Sequence, residues 1–96
     1  MRKKEYLKKS EARIIMYLNT VSKPMKNGSY ISGKLDIDYI YVMKLMRSMF
    51  AKEWIKTYRY DETTYFEITE KAPLDKAKVI LSDEQRKLSN QYQGLR

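Results

Sequence analysis

The chain has 96 residues, with 20 lysines and arginines against 12 aspartates and glutamates, a net charge of +8, and neither cysteine nor histidine. One domain is expected from this length, without disulfides or thiolate metal sites and without the commonest metal ligand and general base. Residues 1–60 hold 14 of the basic side chains and five of the acidic ones. This imbalance favours either a polyanionic partner or a merely solubilising, lysine-rich surface.

The first helix is predicted over Ser10–Val21, after a basic arm at residues 1–9. Ser10 has the side chain of an N-cap residue, and Pro24 disfavours helical geometry in the residue before it, which ends the helix. The longest apolar run has five residues, so neither a membrane span nor an export signal is expected and the chain is predicted to be cytoplasmic. The apolar residues recur at the spacing of an amphipathic helix: Ile14, Ile15, Leu18 and Val21.

Two more helices are predicted before residue 53. Asn27-Gly28-Ser29 is typical of a turn, and Ser29 is then the expected N-cap of a short helix over Tyr30–Leu35. The third helix is predicted over Asp38–Lys52, with Asp38 as its N-cap and Asp36 as the competing cap. Its core face comprises Val42, Leu45, Met46 and Met49, and its opposite face Ile40, Lys44, Arg47 and Ala51, flanked by Tyr41 and Ser48.

A hairpin and a last helix complete the chain. Residues 54–68 alternate and are rich in β-branched and aromatic side chains, with Asp61-Glu62 as the expected tip. Pro73 suits the first turn of the last helix. Its apolar residues follow steps of three, four and seven, as in a heptad seam, which predicts a dimer interface: Leu74, Ala77, Leu81, Leu88 and Tyr92.

Four segments resemble small prokaryotic or archaeal winged helix-turn-helix regulators of the MarR and PadR kind. Residues 10–15 resemble the opening of their first helix, and residues 38–45 are similar to their recognition helix. Trp54-Ile55 matches the apolar pair that opens the wing, and residues 65–71 resemble the strand and Thr-Glu-Lys run that leave it. Members usually carry glycine where this chain has Glu53, and glycine or basic residues where it has Asp61-Glu62. The small size and the Lys, Tyr and Ile richness point to an archaeal, plasmid or viral member.

The resemblance implies an α+β fold, with three helices and a two-stranded wing at residues 10–72 and an additional helix at 73–96. It also implies a homodimer that binds double-stranded DNA and regulates transcription, with helix 38–52 in the major groove. On the third helix, Lys44 and Arg47 would contact bases or phosphates, and the side chains at 39–41 would contact backbone or thymine methyls. The full set of predicted DNA-binding residues is Lys26, Ser29, Lys34, Tyr39, Ile40, Tyr41, Lys44, Arg47, Lys56 and Arg59.

Other functions remain open at this stage. The acidic wing tip favours a winged-helix module that docks on proteins, and the same dimers could instead coat DNA or act in its partition. The nine tyrosines suggest stacking on single strands, although half-buried tyrosines are common in cores. Enzyme activity is not expected, because the chain lacks a glycine-rich phosphate loop and a nucleophile motif. No cofactor or metal is expected either, since the acidic pairs at 36/38 and 83/84 stand where helix caps belong.

Overall fold

Four α-helices and one hairpin share a buried core in the computed structural model, which describes residues 7–83. The two strands of the hairpin are antiparallel and are joined by the two-residue turn expected at 61–62. The order is that of the predicted helix-turn-helix followed by a wing. The elements are α1 (Lys9–Thr20), a 3-10 helix (Lys23–Met25), α2 (Gly28–Leu35), α3 (Tyr39–Ala51), β1 (Ile55–Tyr60) and β2 (Thr63–Ile68), then α4 at 74–83.

The start of α1 differs from the prediction, because Ser10 lies inside the helix and does not cap it. Instead, the backbone N–H of Lys8 donates a hydrogen bond of 3.0 Å to Glu11 Oε1. The other carboxylate oxygen of Glu11 lies 3.8 Å from Lys52 Nζ, and the Glu11 side chain is only 1% exposed. One buried carboxylate therefore satisfies the start of α1 and joins it to the end of α3. Leu7 is also buried, so the core includes a residue of the predicted arm.

The start of α2 also differs from the prediction. Asn27 caps this helix, since its side-chain oxygen accepts the backbone N–H of Tyr30 at 3.1 Å. Ser29, the predicted cap, is an exposed residue of the first helical turn. Asparagine is as good an N-cap as serine and precedes it in the chain, so the predicted turn at 27–29 is the beginning of the helix. The cap predicted for α3 is confirmed, because Asp38 Oδ2 accepts the N–H of Tyr41 at 3.2 Å.

The core face predicted for α3 is confirmed. Its four apolar residues are all buried, together with residues of α1, α2, the hairpin and α4. Burial of this apolar area supplies the main favourable term in folding. It also fixes the rotation of α3, so that the opposite face of the helix points to solvent. The α3 residues in the core are Val42, Leu45, Met46 and Met49.

The end of α3 is held by the residues that leave the wing. Glu53 has a left-handed backbone, with φ of 65°, a conformation that glycine adopts most easily at the end of a helix. Thr69 Oγ1 donates a 2.6 Å hydrogen bond to the carbonyl oxygen of Glu53, and Lys71 Nζ donates to its carboxylate. The hydrogen bond from Lys71 lowers the pKa of Glu53. The Thr-Glu-Lys run thus positions the wing against the helix.

The wing is extended by the segment before α2. The backbone N–H of Phe66 donates to the carbonyl oxygen of Lys26 at 2.8 Å, and Asn27 forms an isolated antiparallel bridge with Tyr65. This pairing covers part of the free edge of β2, which would otherwise expose unpaired backbone groups. The residue that caps α2 therefore also anchors the hairpin.

The last described helix packs on the same core. Ala77 is fully buried, and Leu74 and Leu81 are half-buried against the core cluster. Among residues 7–83, no helix is long and apolar enough to cross a membrane. Within that same range, no group of three acidic side chains is placed to hold a metal ion.

The two glycines of α2 predict opposite responses to alanine. A Cβ at Gly33 would meet nothing within 4 Å, so Gly33→Ala should raise the free energy of unfolding by about 0.5–1 kcal/mol through helix propensity. A Cβ at Gly28 would lie 3.0 Å from Tyr39 Cε1 and 3.1 Å from Met43 Sδ. Gly28→Ala is the matched control. In urea denaturation its free energy of unfolding should rise less than that of Gly33→Ala, or fall below that of the wild type. Equal gains from both would contradict this packing of α2 on α3.

Candidate nucleic-acid interface

The outward face of α3 carries two cations around an exposed apolar side chain. Ile40 is 70% exposed, and Lys44 and Arg47 are exposed one and two turns further along the same face. The three residues lie within about 60° of arc, opposite the buried Val42 and Leu45. A convex face of this kind offers cations to phosphates and an apolar surface to base edges.

The aromatic residues at the start of α3 occupy different surroundings. The ring of Tyr39 lies against the backbone of Gly28, and Tyr41 is less exposed than Ile40. The structure therefore brings Ile40, Lys44 and Arg47 together and places the two tyrosines beside them. On α2, Ser29 and Lys34 are also exposed.

A small groove separates α3 from the wing. It has a volume of about 230 Å³ and is lined by residues that include Arg47, Phe50 and Thr57. Phe50 is 53% exposed and was not among the predicted site residues. Its position, about 80° around the helix from Val42, is ambiguous in the sequence, and only the placement of the wing decides it. The groove places apolar surface between the cations of α3 and those of β1.

The two wing cations lie on opposite faces of the hairpin. Strand alternation puts Arg59 on the face of Thr57, towards α3, and Lys56 on the other face. Lys56 is directly opposite Glu67 in the register, and Lys26 Nζ lies 4.0 Å from Glu67 Oε2. Glu67 thus offsets part of the positive charge of Lys26 and Lys56, whereas Arg59 is opposite Thr64 in the register and also borders the pocket that contains Tyr58 and Tyr65.

The tip of the wing is an acidic turn. Asp61 and Glu62 are both exposed and both left-handed, with φ of 53° and 66°. Two such residues form the turn that matches strand twist, and asparagine and glycine adopt it most easily. The carboxylates at this tip would repel phosphates, so any contact between the wing and DNA falls to residues lower on the strands.

A second pocket lies between the wing and the 3-10 helix. Tyr58 and Tyr65 stack with ring centroids 5.5 Å apart, and Lys23 Nζ lies 5.4 Å from the centroid of the Tyr58 ring. The Tyr58 hydroxyl is buried and has no hydrogen-bond partner among residues 7–83, and this burial raises the pKa of Tyr58. The pocket has a volume of about 450 Å³ and is completed by Pro24, Arg59 and Tyr60. The sequence alone does not reveal it, because it depends on the strand register and on the turn before α2.

The predicted dimer stripe divides at the end of the described residues. Leu74, Ala77 and Leu81 pack on the chain's own core, so Ala77 is not exposed to a second copy. Leu88 and Tyr92 lie outside the described residues. The exposed large apolar residue of α4 is Val79, which is on the face opposite the stripe.

Neither a family model nor a curated protein matches the chain. Among solved structures, it is similar to a point mutant of ZitR from Lactococcus lactis, with 28% identity over 99% of this chain and 64% of that chain and a TM-score of 0.71. Wild-type ZitR in complex with DNA gives 26% identity, 97% and 62% coverage, and a TM-score of 0.70. The adhesin competence repressor AdcR from Streptococcus pyogenes gives 20% identity, 94% and 68% coverage, and a TM-score of 0.71.

The chain thus spans under two thirds of the length of the ZitR chains that it matches. These neighbours are not enzymes. Their likeness extends over nearly the whole of this chain and confirms the predicted α+β class with a wing beside the helix-turn-helix. The protein is therefore a winged helix-turn-helix protein.

Proposed function

We propose that this protein is a transcriptional regulator that binds double-stranded DNA in a sequence-specific manner. In this proposal α3 enters the major groove and the hairpin lies beside it as the wing. The observation that carries the proposal is the solvent-facing arrangement of Ile40, Lys44 and Arg47, because a helix face of this composition suits phosphates and base edges together. The net charge of +8 would assist encounter with a polyanion. A DNA-associated, cytoplasmic location follows from the same proposal.

The candidate residues would contact different parts of the DNA according to their positions. Lys44 and Arg47 would contact bases, since they project from the centre of the α3 face. Ser29 and Lys34 on α2 would hold phosphates, and Arg59 would do so from the wing. Lys26 and Lys56 would add less, because both lie near Glu67.

The structural neighbours support the DNA-binding part of this proposal. ZitR is seen in complex with DNA, and AdcR is named a repressor. A MarR- or PadR-like assignment and an archaeal, plasmid or viral origin are finer proposals, which rest on the sequence resemblance.

Dimerisation is also proposed, with a contact beyond the described core. The stripe up to Leu81 is used within the chain, so a second copy would be held through Leu88 and Tyr92. Two-fold pairing is the commonest arrangement of identical chains, and it would place two α3 helices in successive major grooves.

The experiment is selection of bound sites from random duplexes, followed by footprinting and sedimentation of the free protein. We expect a palindrome with half-site centres about one helical turn apart and a dimer in solution. Leu88→Asp should yield monomers that remain folded, whereas Leu81→Asp should also destabilise the domain, because Leu81 packs on the core. Selected duplexes that share no common sequence would contradict sequence-specific binding. A protein that sediments as a monomer at tens of micromolar would contradict the dimer.

A second function has specific observations in its favour. The acidic wing tip and the tyrosine pocket at 58 and 65 are features of a surface that docks on protein, as in a winged-helix interaction module. With such a protein, the selection would not enrich any duplex sequence, and the binding constant for DNA would not fall steadily as the salt concentration rises. A DNA-coating or partition protein would instead protect long, continuous tracts in the footprint.

A further inference from the structure

Ile40 has an environment that neither core packing nor phosphate binding explains. It is the most exposed large apolar side chain of α3, and it belongs to the same outward face as Lys44 and Arg47. A single exposed isoleucine is ordinary on a protein surface. Ile40, however, shares one convex helix face with two cations. A partner that fits this face must be a polyanion that carries an apolar group about one helical turn from its charges.

In duplex DNA the group with these properties is the C5-methyl of thymine, which projects into the major groove. Isoleucine has no donor and therefore cannot hold a phosphate. Its branched Cβ leaves essentially one rotamer in a helix, so little side-chain freedom is lost on contact. The neighbouring tyrosines are less suited, since Tyr39 is packed on Gly28 and Tyr41 lies about 100° further around the helix.

We infer that Ile40 is a specificity-determining residue that reads a thymine methyl in each half-site. The inference rests on the proposed function and adds the base that this position selects. Ile40 and Arg47 are separated by about 10.5 Å along the helix axis, which corresponds to roughly three base pairs at about 3.4 Å each. The thymine should therefore lie within about three base pairs of the pair that Arg47 contacts, for which guanine is the expected partner.

The test replaces each thymine of a selected duplex by uracil, which removes only the methyl group, and measures the dissociation constant at fixed salt. Uracil at the contacted position of a single half-site should weaken the wild type about fourfold, which is about 0.8 kcal/mol at 1.4 kcal/mol per tenfold. Ile40→Ala changes both subunits of the proposed dimer, so it should weaken binding to the thymine duplex about sixteenfold and lose the preference for thymine over uracil. Lys44→Ala, the matched control on the same face, should bind more weakly but keep that preference.

Two results would overturn the inference while leaving the proposed function intact. One is salt-sensitive, sequence-specific binding that no uracil substitution changes. The other is an Ile40→Ala variant that keeps the full preference for thymine, since another residue would then read the methyl. Absence of any duplex binding by the wild type would overturn both proposals together. Thermal unfolding of each variant shows whether the domain is folded, and Ile40→Ala should melt close to the wild type because its side chain is exposed.

Discussion

Replacing Leu45 by alanine is expected to lower the free energy of unfolding by about 2–5 kcal/mol. Leu45 is 2% exposed and belongs to the cluster that joins the helices to the hairpin. The truncation removes buried apolar atoms and leaves a cavity that the surrounding side chains only partly fill. Small domains have total stabilities of about 5–15 kcal/mol, so this change would remove a large part of the total. Urea denaturation measures it directly.

Ile40→Ala is the matched control for this prediction. It also truncates a branched apolar side chain on α3, but at a position that is exposed. The expected change in the free energy of unfolding is within about 0.5 kcal/mol, as for other surface positions. A near-neutral Leu45→Ala together with a strongly destabilising Ile40→Ala would mean that α3 is rotated. The face offered to DNA would then be a different one.

The double variant Lys44→Ala and Arg47→Ala is expected to lose most of its affinity for a selected site. Each base contact of this kind contributes about 1–3 kcal/mol of discrimination. Removing two of them would weaken binding by roughly thirtyfold or more if their effects add. The melting temperature should change little, because both side chains are exposed and neither belongs to the core. Fluorescence anisotropy with a labelled duplex measures the affinity.

The matched control removes the same charge from α4, as Lys76→Ala and Lys78→Ala, where both side chains are also exposed. This control should change affinity only slightly, since its cations lie outside the proposed interface. Equal reductions in affinity from the two double variants would show that net charge, and not the face of α3, determines binding. An unchanged affinity in the α3 variant would exclude this helix as the part of the protein that reads DNA.

The elements that sequence predicted well are those decided by local pattern. The core face of α3 follows from the helical period, and the tip at Asp61-Glu62 follows from strand alternation on either side. The N-cap at Asp38 is also a local interaction, since it joins residues three positions apart. Each of these features depends on residues a few positions apart, so periodicity and turn chemistry are sufficient.

Most features that sequence did not predict depend on contacts between distant segments. The cap of Asn27 on α2 is a local hydrogen bond that competing N-cap residues make hard to assign from sequence, whereas its pairing with Tyr65 depends on where the wing lies. The proximity of Lys26 to Glu67 and the exposure of Phe50 beside the wing have the same origin. Glu53 adopts a left-handed backbone that its residue type disfavours, while Thr69 and Lys71 bond to it from across the hairpin.

The salt dependence of binding to a random-sequence duplex tests most directly whether this winged helix binds DNA. If α3 and the wing lie against phosphates, the logarithm of the binding constant should fall linearly with the logarithm of salt concentration. The slope should be about −0.9 for each phosphate neutralised. Lys34→Ala removes an exposed phosphate candidate and should make the slope shallower by about one for each subunit bound, while the Lys76→Ala and Lys78→Ala control keeps the wild-type slope. No binding even at low salt would contradict the claim that the protein binds DNA, and binding with a slope near zero would contradict phosphate contacts by α3 and the wing.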